Sequence, residues 1–184
     1  EVATMEEYLR YLANIAPESG ELQPLYGIGY ERQLAESEVD SLAGYRGMGP
    51  VRRGNLAWLQ KQHDVYGSVV LASTQLFFDT RLARVGDASV FARLEPVGER
   101  AYALHDKPDA GLWEFRGREE VHTYSSVMCW AACDRLARIA VHLRLAPQVQ
   151  LWRQRADEMH ARIVEHAYNE ELGYFVESLD GNPL

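Results

Sequence analysis

The apolar residues Val149, Trp152, Ala156, Met159 and Ile163 recur at spacings of 3, 4, 3 and 4. A stripe with this period lies along one face of an α-helix, whereas a strand turns successive side chains to opposite faces. One long amphipathic helix needs partners that bury its stripe, and the same pattern recurs elsewhere. Residues 4–16 carry Met5, Tyr8, Leu9, Leu12 and Ile15, and Pro17 and Gly20 end that helix. Residues 122–145 carry Met128, Ala132, Leu136, Ile139, Ala140 and Leu143 on one face, with Arg135, Arg138 and Arg144 mostly away from it. Asn55 reads as an N-cap, and the helix after it is expected to run to about residue 84 through Leu56, Leu59, Tyr66, Val69, Val70, Leu76 and Phe77. A helical pattern restarts at Gly86-Asp87, and Pro96 is expected either to kink it or to divide it into two short helices reaching His105. Only residues 173–179, with Tyr174, Phe175 and Val176, read as extended. The expected fold is all-α, with five or six helices whose neighbours pair antiparallel.

Residues 18–53 are the exception. Gly27, Gly29, Gly44, Gly47, Gly49, Pro24 and Pro50 interrupt every period there, yet Leu22, Leu25, Tyr26, Ile28, Tyr30, Leu42 and Tyr45 are too apolar for disorder. A long ordered loop shaping the rim of a pocket is expected.

At 184 residues, with 47% hydrophobic and 25% charged residues, the chain suits one soluble globular domain. It holds no apolar run near the roughly 20 residues that span a bilayer and no signal-peptide pattern, so no membrane partner and a cytoplasmic location are expected. The first residue is not methionine, and the chain is expected to be a fragment. A net charge of -8 argues against nucleic acid as a partner, because phosphate backbones are bound largely by cations. The two cysteines, Cys129 and Cys133, lie four apart on a helix and are expected to be small core residues.

The sequence has no phosphate-binding P-loop, no dinucleotide glycine fingerprint, no HExxH pair and no serine nucleophile elbow. Its six histidines show no metal spacing, and no metal or cofactor is expected. What remains is a carboxylate in aromatic company at residues 109–117, where Glu114 stands between Trp113 and Phe115 with Arg116 beyond. Two readings are open. In one, Glu114 sits where water is scarce, desolvation raises its pKa, and it serves as a general acid. In the other, Trp113 pins a surface turn and Glu114 points into solvent. Trp58 and Gln62, placed i and i+4 on the expected helix with Asp64 close by, suit the wall of a sugar site; equally, Trp58 packs beneath the loop.

The motifs taken together add a resemblance. The succession Leu22-Gln23-Pro24-Leu25-Tyr26-Gly27-Ile28, Leu42-Ala43-Gly44-Tyr45-Arg46-Gly47, Pro50-Val51-Arg52, Gly54-Asn55, Gln62-His63-Asp64-Val65-Tyr66-Gly67, residues 108–117, and Val127-Met128-Cys129-Trp130 with Asp134-Arg135 resembles glycoside hydrolase family 15, in its bacterial glucoamylase and trehalase-like members. The order holds from about residue 8 to residue 179. This resemblance implies an (α/α)6 toroid of antiparallel helix pairs, of which the chain would form about half as a piece of one catalytic domain. It implies inverting hydrolysis of α-linked glucosides, oligosaccharides or disaccharides, with Glu114 as general acid. Trp58 would line the sugar site, Gln62 and Asp64 would support it, and Trp113, Arg116 and His122 would stand beside the acid. The second carboxylate would lie beyond this chain, so the fragment alone is expected to be inactive and, with apolar helix faces uncovered, to self-associate. The competing reading is a non-catalytic α-helical carbohydrate-binding or scaffold module.

Overall fold

The Val149–Ile163 stripe lies on helix α5 (Ala146–Ala167), where Trp152, Ala156, Met159 and Ile163 are buried. The computed structural model describes residues 2–15, 20–114 and 117–179. Among them are four further α-helices: α1 (Val2–Ile15), α2 (Asp64–Phe78), α3 (Ala88–Leu104) and α4 (Thr123–His142). Strands are only two residues long, so the fold is all-α. Pro17 and Ala16, expected at the end of the first helix, lie outside the described residues.

Helix α4 is central to the helical part and packs against α2, α3 and α5, while α1 packs on α2. Small side chains explain how α4 admits so many neighbours. Ser125, Ser126, Cys129, Ala131, Ala132, Cys133, Ala137 and Ala140 are all buried along it, around the larger Leu136 and Ile139. Two glycines let helix backbones approach closely. A side chain at Gly67 of α2 would collide with the Met128 carbonyl of α4, and one at Gly98 of α3 would strike Leu136 and the Trp152 ring. Both cysteines are core residues. Burial pushes the Cys133 thiol up to about 12 and the Cys129 thiol well above its ordinary value, which leaves both inert.

Helix α3 is a single helix in spite of Pro96. Asp87 caps it, its carboxylate accepting from the amides of Ser89 and Val90 at 2.9 and 3.0 Å. An interior proline costs about 3 kcal/mol or more. Burial of Phe91, Leu94, Val97 and Ala101 contributes about 1.5–3 kcal/mol for each large side chain, which outweighs that cost.

The helix expected from Asn55 to residue 84 is not one helix. The Asn55 side chain accepts from the Ala57 amide at 2.9 Å and caps only a short 3-10 turn, Leu56–Leu59, after which Gln60 is extended. Helix α2 starts at Asp64. The interruption has a tertiary cause: the amide of His63 donates to Asp109, 46 residues away, and the Gln62 side chain donates to the Gly111 carbonyl. Trp58 and Gln62 therefore do not share a helix face.

The C-terminal segment is extended, as its composition suggests. Tyr168–Asn169 pairs as a short strand antiparallel with Tyr174–Phe175, and Ser178 then bridges to His122. The Thr123 amide donates to the Glu177 carbonyl at 2.9 Å and the Leu179 amide to the Val121 carbonyl at 2.8 Å, which ties this segment to the start of α4.

Residues Gln23–Lys61 form a compact unit of their own. Within it Ser37 pairs with Arg53 and Glu38 with Arg52, a two-residue ladder too short to show any period in the sequence. Arg52 holds Glu36 at 2.9 Å, and the Gln23 side chain donates to the Leu25 and Arg32 carbonyls. The region is ordered, but by these hydrogen bonds and ion pairs more than by apolar burial, since Ile28, Tyr30, Leu42 and Tyr45 are exposed. No helix among the described residues is long and apolar enough to cross a membrane.

Candidate active site

The turn that carries Glu114 is rooted in Asp109, whose side chain is completely buried. Its Oδ2 accepts from the His63 amide, just ahead of α2, and from the Ser125 hydroxyl in the first turn of α4, both at 2.7 Å. Its Oδ1 accepts from the Gly111 amide at 3.2 Å. Hydrogen bonds to a charged acceptor are worth about 1.5–3 kcal/mol each, enough in sum to offset the desolvation of one carboxylate. The backbone of Asp109 also exchanges two hydrogen bonds with Glu120, at 2.9 and 3.1 Å, which closes the loop between them.

Gly111 is the next link. It sits at φ +65°, and the His122 ring lies 2.6–2.7 Å from where a β-carbon would stand, so only glycine fits. Its carbonyl accepts from the Gln62 side chain at 3.0 Å and from the Glu114 amide at 3.2 Å. Glu114 adopts φ +54°, a left-handed conformation that a residue with a β-carbon rarely holds unless its surroundings impose it.

Beneath this turn lies a polar layer. Ser126 donates to the His105 carbonyl at 2.6 Å, and the Cys129 thiol donates to the His63 carbonyl at 3.3 Å. His122 Nε2, Thr123 Oγ1 and Asp64 Oδ1 are buried without a hydrogen-bond partner among the described residues. Burial, reinforced by the charge of Asp109 and opposed by its own backbone amide, raises the Asp64 carboxyl above its ordinary value.

The expected site residues separate clearly. Gln62, Asp64 and His122 converge on the layer around Gly111 and Asp109. Gln62 uses its amide on a backbone carbonyl, and His122 packs its ring on the glycine. Trp113 and Glu114 stand at the head of the turn, with Trp113 74% exposed and Glu114 also exposed. The water-poor setting expected for Glu114 is thus not formed by the described residues: the indole stands out in solvent and does not cover the carboxylate. Trp58 belongs to the Gln23–Lys61 unit, where it follows the Asn55 cap and is half-buried. Arg116 and Phe115 lie outside the described residues. Asp109 and Ser125 went unassigned in the sequence, although an aspartate two residues ahead of a glycine turn is a familiar partner for local amides.

The family described as glycosyl hydrolases family 15 matches residues 2–182. The chain belongs to this family. A trehalase of Mycobacterium tuberculosis is 35% identical over 165 residues, which cover 88% of this chain and 24% of that protein. A trehalase of Mycolicibacterium smegmatis is 36% identical over 163 residues, 86% of this chain and 24% of the relative. A trehalase of Thermoplasma volcanium is 30% identical over 171 residues, 93% and 27% respectively. The family 15 chain therefore spans about a quarter of the length of these relatives. No solved structure matches it.

Proposed function

We propose that the full-length protein hydrolyses an α-glucoside disaccharide, trehalose, by single displacement with inversion, and that Glu114 is its general acid. Three curated relatives that bear the name trehalase support the substrate. The observation that carries the role of Glu114 is its presentation beside Trp113 at the exposed head of a turn whose root is buried and fully hydrogen-bonded. In this reading Glu114 gives its proton to the glycosidic oxygen as the C1–O bond breaks. A second carboxylate, roughly 6.5–9.5 Å away, takes a proton from the water that attacks the opposite face of the sugar. That carboxylate and the cover over Trp113 come from the longer protein, which completes an (α/α)6 toroid of which this chain is about half.

Replacing Glu114 by glutamine in the full-length protein is expected to lower turnover on trehalose by about two to four orders of magnitude at an unchanged melting temperature. Full activity in that variant refutes the role. Proton NMR of the wild-type reaction is expected to show α- and β-glucose released in equal amounts, since only the attacked sugar inverts; α-glucose alone would indicate retention. Residues 1–184 by themselves are expected to hydrolyse nothing. Exposed Phe78, Val141, Leu151 and Val164 on three helices support self-association of that piece, measurable by light scattering.

A further inference from the structure

The route from Asp109 to Glu114 is short and closed at every link. Asp109 has no exposed surface and so cannot touch a substrate. Its three donors come from three places: the residue before α2, the first turn of α4, and its own loop. One side chain thereby ties the Gly111 amide to two helices, and the Gly111 carbonyl then receives both Gln62 and the amide of Glu114. Between the buried carboxylate and the backbone of Glu114 there is a single intervening residue, itself pressed against the His122 ring. The left-handed backbone of Glu114 is the conformation such a tether holds in place.

We infer that Asp109, assisted by Ser125 and Gln62, is the positioning residue of the acid turn and sets where the Glu114 carboxyl meets the leaving oxygen. This rests on Glu114 being the general acid. The donor set explains why a carboxylate is used. Both oxygens must accept, two bonds at Oδ2 and one at Oδ1. Asparagine offers one accepting oxygen and an NH2 that faces a donor, so it keeps the size of the side chain but loses one side of the tether.

A misplacement of about 1 Å is enough to cost about a hundredfold in rate. The distinguishing test exploits the leaving group. From trehalose the leaving group is glucose, whose oxygen needs a proton, whereas fluoride departs from α-glucosyl fluoride without one. In the full-length protein, Asp109→Asn is expected to lower kcat on trehalose about a hundredfold, with KM little changed and a far smaller loss on α-glucosyl fluoride. Ser125→Ala, which removes one bond at the same oxygen, is expected to show the same split at about a tenth of the size. Should Asp109→Asn fail to fold, as judged by thermal melting, Ser125→Ala carries the test. Glu114→Gln, measured alongside, is expected to show the largest split. If Glu114→Gln shows none, the general-acid reading falls and the inference with it. If Glu114→Gln shows the split while the Asp109 and Ser125 variants lose equally on both substrates, or lose nothing, the inference alone is overturned.

Discussion

Asp109 and Asp134 are 0% and 2% exposed, yet they are satisfied by opposite means. Asp109 takes only neutral donors, two backbone amides and a hydroxyl. Asp134, in the middle of α4, takes three guanidiniums: Arg135, Arg138 at 2.8 Å and Arg153 of α5 at 2.9 Å, whose side chains are 30–61% exposed. Fixed dipoles hold a carboxylate at one point and hold their own backbones there too, as a loop root requires. Flexible cations compensate the same charge with less geometric demand and serve to join two helices at the surface. The kind of partner therefore separates a carboxylate that shapes a turn from one that fastens a helix pair.

The largest effect that tests this contrast is expected from Asp109→Ala. It leaves three donors without an acceptor in the interior and is expected to cost about 3–5 kcal/mol of stability in the full-length protein, nearly independent of salt. Asp134→Ala returns three partly exposed arginines to water. It is expected to cost only about 1–2 kcal/mol, a difference that shrinks in about 1 M salt. Urea melts at two salt concentrations read both. Equal costs with equal salt dependence would abolish the distinction.

The smallest effect concerns Asp64, the neighbour that sharpens the picture of Asp109. Its folded-state pKa is raised above the ordinary 3.8, by burial first and by Asp109 second. Its stabilising contribution is therefore present below the unfolded value and is lost as pH rises through the folded one. Asp64→Asn is expected to melt higher than wild type at neutral pH, with the gain vanishing toward about pH 3. A gain that grew on acidification would reverse the sign and remove Asp109 as its neighbour in charge.

Much of the helical organisation was legible because burial selects a period that composition cannot imitate: the stripes of α4 and α5 became their buried faces, as did that of α1 apart from the exposed Tyr8. The inert role of Cys129 and Cys133 and the extended C-terminal segment were legible for similar local reasons. The helix through residues 60–63 was misread, since the donors that end it act on Asp109 and Gly111 far along the chain. Of the two outcomes expected at Pro96, division into two short helices does not occur, because burial on both sides of it outweighs the loss of one hydrogen bond. Within the site, residues 109–117 were recognisable as a group, but the desolvated setting expected for Glu114 is absent among the described residues.

The all-α class, the helix faces that become core, and the family can each be read without a structure, because each is written in local spacing or in ordered motifs. Long-range folding alone makes Gln62 serve a backbone carbonyl, Gly67 and Gly98 contact points between helices, and Asp109 the root of the turn that carries Glu114. Those facts depend on groups 16 to 61 residues apart meeting within hydrogen-bond or van der Waals range. A carboxylate looks the same in a sequence whether amides, arginines or water surround it, and only folding chooses among them.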